Sequence, residues 1–388
     1  MELLFGKTIE DWKLLGAGYT AKEIRQQPIL WLETLQILEV NKELLEPVRK
    51  FLADHPSARI ILSGAGSSAY IGEVAAPLLR KKTKRRVEAI PTTDIVPSPK
   101  EYFEGDQPTL LVSFARSGNS PESLATYDLA NQEITTIHHL VITCNSDGAL
   151  AQKTTNQANA NVLLMPVASN DQGFAMTGSF SCMLLAVLLF FEADLVSKKD
   201  ELKKISLAGA EILEKNWNRA STLVQQDFSR IVVLGSATFH GLAKEGALKC
   251  LELASGKRVA MAESTMGFRH GPKSIIADGT VIIQLLSDDP HTRRYEFDLL
   301  NELQHDQGKK ILIGLDSKND SKVASRVDQL WFGGGDSSSE LSRVLLYLLQ
   351  LQLFSLFLSI HLAIEPDNPR PDGTVNRVVQ GVTIHTFT

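Results

Sequence analysis

Cysteine is scarce: Cys144, Cys182 and Cys250 are the only three in 388 residues, and they are scattered. An odd, unclustered set gives neither a disulfide framework nor metal-ligand spacing. A reducing cytoplasm is the expected setting, and no metal or other cofactor is expected. No leader is expected either, since MELLFGKTIEDWKLL lacks the basic-then-apolar layout of a signal peptide. Positive charge is not in excess. A formal net charge of −5 and a pI near 6.0 argue against a general nucleic-acid binder. The one basic cluster, Lys81-Lys82-Thr83-Lys84-Arg85-Arg86, falls where a helix should end and suits a solvated helix C-terminus. Nor is any apolar run built to span a bilayer. Phe180–Phe191 is too short. Leu345–Ile364 is broken by Gln350, Gln352, Ser355, Ser359 and His361, which predicts a buried core helix.

What remains is 43% hydrophobic and 22% charged, an ordinary globular composition long enough for two domains or one duplicated unit. Residues 1–52 form an N-terminal helical arm, in which Thr20-Ala21-Lys22-Glu23 has the form of a capping box. No glycine-turned recognition helix follows it. From Arg59 the pattern is strand, turn, helix, repeated: Ile60–Leu62, Val87–Ile90, Leu110–Phe114, Leu140–Thr143 and Val162–Met165 read as short strands. After a charged helical connector at 197–228 the plan recurs with Ile231–Leu234, Val281–Leu285, Ile311–Leu315 and Gln329–Phe332. Such alternation predicts a mainly parallel sheet covered on both faces, twice over. The expected fold class is therefore α/β, with two doubly wound halves at 53–200 and 201–364. Gly333–Gly335 reads as a loop leading to a helix cap. The tail, 365–388, turns strand-like at Val378–Phe387 and is expected to contribute to the site.

Three stretches carry chemistry. Gly64-Ala65-Gly66-Ser67-Ser68-Ala69 matches G-x-G-x-x-A between a strand and a helix, with Glu88 some twenty residues on, the context of a dinucleotide fingerprint. Free N–H groups at a helix N-terminus hold any phosphate, however, and Ser67 and Ser68 suit a terminal phosphate equally well. Ser113–Ser123 again follows a strand. Ser117, Gly118 and Ser120 offer donors around one small anion, with Arg116 as a fork and Pro121 in the first helical turn. An ordinary serine-capped helix is the plain alternative. Third, Glu245, Lys249 and Glu252 form one stripe on a helix otherwise small and apolar, followed by Arg269-His270-Gly271-Pro272. Buried charges must be paired or in use. A structural ion network and a proton-transfer site are both compatible with that stripe.

Taken together, Gly64–Tyr70, Ser113–Ser123, Glu245–Glu252 and His270-Gly271-Pro272 resemble the sugar isomerase (SIS) double domain, including the isomerase half of glucosamine-6-phosphate synthase. The arm and the tail Asp367–Gln380 resemble the AgaS type, described as tagatose-6-phosphate ketose/aldose isomerase or galactosamine-6-phosphate deaminase. The resemblance implies phosphate binding by Ser67, Ser68, Ser117 and Ser120. It also implies proton shuttling by Glu252 beside Lys249, and ring opening by His270, contributed in the synthase by the neighbouring subunit. Arg116 and Asn119 depart from the synthase loop, and Gln380 appears where the synthase has a lysine.

The reading that follows is an enzyme converting galactosamine 6-phosphate to tagatose 6-phosphate plus ammonia. It is expected to be a cytoplasmic homodimer or higher homo-oligomer with shared active sites, taking a small phosphorylated sugar and neither nucleic acid nor membrane. Alternatives are a plain aldose–ketose sugar-phosphate isomerase, a fructosamine-6-phosphate deglycase and a non-catalytic sugar-phosphate sensor. A nicotinamide dehydrogenase would need the first glycine turn to hold a dinucleotide.

Overall fold

The computed structural model describes residues 3–332, 339–379 and 381–387. The first sheet contains β1 (Arg59–Ser63), β2 (Val87–Ala89), β3 (Thr109–Ala115), β4 (Ile137–Thr143) and β5 (Ala160–Leu164), in the order β2-β1-β3-β4-β5. The second contains β6 (Arg230–Gly235), β7 (Val259–Ser264), β8 (Thr280–Leu285), β9 (Lys310–Asp316) and β10 (Gln329–Phe332), in the order β10-β9-β8-β6-β7. Read from the opposite edge, this is the same topology. All the pairings are parallel. The repetition extends to register, because Arg59 lies opposite Thr109 and Arg230 opposite Thr280. The expected α/β fold with two doubly wound halves is the observed one.

The chain packs as two compact units. One comprises Ile29–Asp171, Met176–Lys199 and the stretch from Asp372 onward, and holds the first sheet; the other comprises the residues up to Pro28, Gln172–Ala175 and Asp200–Pro371, and holds the second. Strands of a parallel sheet are covered on both faces and therefore read as unbroken apolar runs. Every residue of β1, β3 and β8 is buried accordingly. In the first unit the helix Gly178–Phe190 is buried along its whole length and packs on the helix Ser67–Thr83. In the second, Glu340–His361 packs on Thr238–Leu253. Glu340–His361 is long and apolar enough to cross a bilayer, but 89% of its apolar window is buried within the protein. The basic cluster begins at the C-terminal end of Ser67–Thr83, where Lys84 supplies a left-handed cap. Cys144, Cys182 and Cys250 are all free and buried.

Three local expectations change. The capping box falls earlier, at Thr8 and Asp11, before the helix Ile9–Leu14. Thr20 lies inside the helix Gly18–Val40, and its hydroxyl donates to Asp367 at 2.6 Å. The alternating tail forms no strand at Val378, Val379 or 381–387, because it packs by side chains instead: Phe387 sits against the cluster of Ile90, Ile95 and Phe103. Strand β7 was not anticipated, since VAMAES is half-exposed and poor in β-branched residues. Ser339 does cap Glu340–His361, accepting from the Ser342 amide. Gly333–Gly335 and Gln380 lie outside the described residues.

Candidate active site

In the order β2-β1-β3-β4-β5 the chain reverses direction across the sheet between β1 and β3, and ligands of such folds lie beyond the C-terminal ends of those strands. Both serine turns emerge there. Gly64 is required by close approach, because a Cβ would meet the Ser68 Cβ at 2.6 Å. Gly66 has φ +56° and opens the helix Ser67–Thr83, whose N-cap has no side-chain hydrogen bond. Ser67 and Ser68 are buried in its first turn. After β3, Gly118 turns the chain with φ +68° and Ser120 stands at the N-cap of Pro121–Glu133 without bonding a helix amide. The Ser120 hydroxyl donates to Glu122 at 2.6 Å.

Between the turns lies a cavity of about 110 Å³ lined by Ser68, Arg116, Ser117, Ser120 and Ser123, and by Arg377 from the tail. No Asp or Glu is among its lining residues. Of the phosphate-binding residues expected from sequence, the structure gathers Ser68, Arg116, Ser117 and Ser120 here. Ser67 is buried alongside, at the helix start, but does not line the cavity. The Ser117 turn rests on the turn that follows β4. The Leu150 amide donates to the Gly118 carbonyl at 2.9 Å and the Ala149 amide to Asn119 Oδ1 at 2.9 Å. Asn145 Nδ2 donates to the Ser117 carbonyl at 2.9 Å.

Sequence reasoning missed Arg377. Arg116 donates to the Arg377 carbonyl at 2.7 Å, across 261 positions of chain. The Arg377 guanidinium donates in turn to the carbonyl of Asp171. The Asp171 carboxylate is fully engaged elsewhere, accepting from the amides of Thr177, Gly178 and Ser179 and from two hydroxyls. Nothing in the tail's local pattern marks this arginine. Glu88, the acid of the dinucleotide fingerprint, is spent on Arg59 at 2.5 Å and Arg86 at 2.7 Å. Burial alone would raise its carboxyl, but the two arginines hold it below the usual range.

The second sheet has the same switch point, between β6 and β8, but the residues that follow β8 are carboxylates where those that follow β3 are an arginine and serines. Asp289 caps Pro290–His305, accepting from the Thr292 amide at 2.8 Å. Asp288 takes Arg343 at 2.7 Å and the Ser317 hydroxyl at 2.9 Å. Glu296 accepts from the Ser287 amide at 2.8 Å, and burial pushes its carboxyl up to about 7.

What this unit offers instead is the helix Thr238–Leu253. Glu245 and Lys249 are buried in it, their nitrogen and oxygen 3.6 Å apart, and Lys249 also binds Glu252. Side-chain exposure rises along this row: 0% at Glu245, 2% at Lys249 and 24% at Glu252. Glu252 is therefore the carboxylate open to a ligand, oriented by a lysine that Glu245 holds from behind. Downstream, the short turn Gly267–Arg269 fixes Arg269 on Glu302 at 2.7 Å and leaves His270 exposed. The His270 side chain makes no hydrogen bond or ion pair among the described residues, and Gly271 follows it with φ +116°. A carboxylate and an imidazole are residue types that proton transfer commonly uses.

Comparison with known proteins agrees with this geometry. Residues 55–193 match the SIS domain family model. A Streptomyces coelicolor protein provisionally named a D-galactosamine-6-phosphate deaminase is 43% identical over 96% of each chain. The Escherichia coli D-galactosamine-6-phosphate deaminase AgaS is 39% identical over 95% of this chain and 96% of its own. A crystal structure from Clostridium novyi NT, provisionally described as a tagatose-6-phosphate ketose/aldose isomerase, superposes over 100% of both chains with TM-score 0.96 and 43% identity. With two mirrored parallel sheets, a serine-turn crevice and near-full-length likeness of this order, the chain belongs to the AgaS-type family of SIS-domain proteins.

Proposed function

We propose that this protein is a galactosamine-6-phosphate deaminase, converting galactosamine 6-phosphate and water to tagatose 6-phosphate and ammonia. The observation that carries the chemistry is Glu252, a carboxylate still open to a ligand yet held by the buried Lys249. Near-full-length likeness to proteins of that name supports the choice of substrate. Ser67, Ser68, Ser117, Ser120 and Arg116 hold the phosphate group. His270 opens the pyranose by moving a proton between the ring oxygen and the C1 hydroxyl. Glu252 then takes the proton from C2 and delivers it to C1, so that the intermediate enolamine becomes an imine at C2. Water adds to that carbon and ammonia leaves, giving the ketose phosphate. Lys249 holds Glu252 in place. This route requires no metal or organic cofactor.

In this reading the working form is a homo-oligomer in which His270 completes a neighbour's site. The setting is cytoplasmic, consistent with three free buried thiols. The test is ammonia release from a panel of hexosamine 6-phosphates, with galactosamine 6-phosphate expected to react fastest. Interconversion of aldose and ketose phosphates without ammonia would indicate a plain isomerase. Preference for fructosamine 6-phosphate would indicate a deglycase, and binding without turnover a sensor.

A further inference from the structure

We infer that Arg377 is a phosphate-binding residue, and that the C-terminal segment carrying it closes the anion pocket from above. This rests on the reading of the β1/β3 crevice as the phosphate site. The cavity of about 110 Å³ is lined by two arginines, Arg116 and Arg377, with no carboxylate among its lining residues. Arg116 is only 7% exposed, so its charge is largely removed from water. Positive charge concentrated at one small cavity without a lining carboxylate raises the local affinity for an anion. Arg377 has no ion-pair partner among the described residues, and its one side-chain hydrogen bond goes to the neutral carbonyl of Asp171. Its Nε is buried without any partner. The Asp171 carboxylate is saturated by its own helix cap, and Glu122 is engaged by the Ser120 hydroxyl. Guanidinium groups favour phosphate because their fork matches two of its oxygens. A phosphate monoester carries roughly −1.5 to −2 charges at neutral pH, enough to balance both arginines.

The same segment brings Val378 and Val379 to the cavity wall. Phe387, packed beside Ile90 and Phe103 and under Lys100, holds it down further along. The tail thus supplies one charge and an apolar cover, so that binding the phosphate and fixing the tail are a single event.

The test measures affinity for inorganic phosphate, by calorimetry and as a competitive inhibitor, and KM for galactosamine 6-phosphate. The variants are Arg377→Ala, Arg377→Gln and Ser117→Ala. Arg377→Gln keeps most of the length and a donor for the Asp171 carbonyl, so it serves if the alanine variant is unstable. Both Arg377 variants are expected to weaken phosphate at least tenfold and raise KM in parallel, with kcat changed less than threefold, the pattern of lost uniform binding. If Ser117→Ala weakens phosphate but the Arg377 variants bind it as the wild type does, the role of Arg377 is overturned and the pocket stands. If neither changes phosphate affinity, the assignment of the pocket has failed and the inference with it.

Discussion

Lys249 is the residue to which the two carboxylates of its helix answer, one inaccessible and one half-open. That difference makes Glu252→Gln a clean experiment. Lys249 keeps Glu245 as a counter-charge, so the variant should fold, and the amide still offers a hydrogen-bond acceptor. It cannot accept a proton from C2. Turnover is expected to fall by roughly two to four orders of magnitude, with sugar-phosphate binding retained in calorimetry. Near-normal turnover of a folded variant would reduce the row to an ion network. A second residue makes a prediction about stability alone. His139 lies in β4, fully buried, with neither ring nitrogen hydrogen-bonded and the Tyr127 ring centred 4.4 Å away. Burial, then the neighbouring His138, pushes it down to about 3. A histidine whose folded pKa is depressed favours the unfolded state once the unfolded side chain protonates. Stability is therefore complete above about pH 6.5 and erodes as the pH falls toward 3, with a limiting slope of about 1.4 kcal/mol per pH unit. His139→Leu should flatten the fall in melting temperature between pH 7 and pH 4; identical profiles would contradict this. At this scale the sequence was informative wherever residues of one site are neighbours in the chain, as at Glu245–Glu252. It was silent at Arg377, whose partners Arg116 and Asp171 are distant in sequence.

Among elements, the Ser117 turn depends on another turn for its shape. A Cβ on Gly148 would lie 2.4 Å from the Ser117 carbonyl oxygen and 3.0 Å from the Gly118 Cα, both backbone atoms with little room to yield. Gly148→Ala should displace the anion turn without touching a ligand. We expect a loss of stability of about 1–3 kcal/mol and a KM raised by one to two orders of magnitude, larger than the change in kcat. Kinetics and melting on the same preparation check both halves, and an unchanged KM would show that the turn holds its shape unaided. The strands that the sequence revealed carry short apolar runs, at the buried centre of a sheet as in β1, β3 and β8 and at the edges as in β2, β5 and β10. Strand β7, an edge strand of small and polar residues, has no such signature. The alternating tail misled in the opposite direction. Alternation reports a segment with two unlike faces, but here Val379, Val382 and Ile384 are exposed and only Phe387 packs on the core.

For the molecule as a whole, two copies of one topology carry different equipment: an anion pocket in one unit, a carboxylate–lysine row in the other. If His270 serves a neighbouring chain, mixing inactive Glu252→Gln subunits with inactive His270→Ala subunits should restore part of the activity. No recovery, with subunit exchange shown independently, would place both residues in one chain's site. The mirrored crevices also differ in how each is kept electrically neutral. Around β8 and β9 the counter-ions are covalently part of the protein, as Asp288 on Arg343 and Asp316 on Arg293. Around β1 and β3 the guanidinium of Arg377 has no ion-pair partner among the described residues, so a counter-ion for it comes from solution. A ligand that binds only the folded state, at a hundred times its dissociation constant, adds about 2.7 kcal/mol of stability, and here that gain falls to one unit alone. Saturating inorganic phosphate is therefore expected to raise the melting temperature and slow proteolysis of the folded protein, and unchanged melting and digestion would show that the first crevice takes no counter-ion from solution.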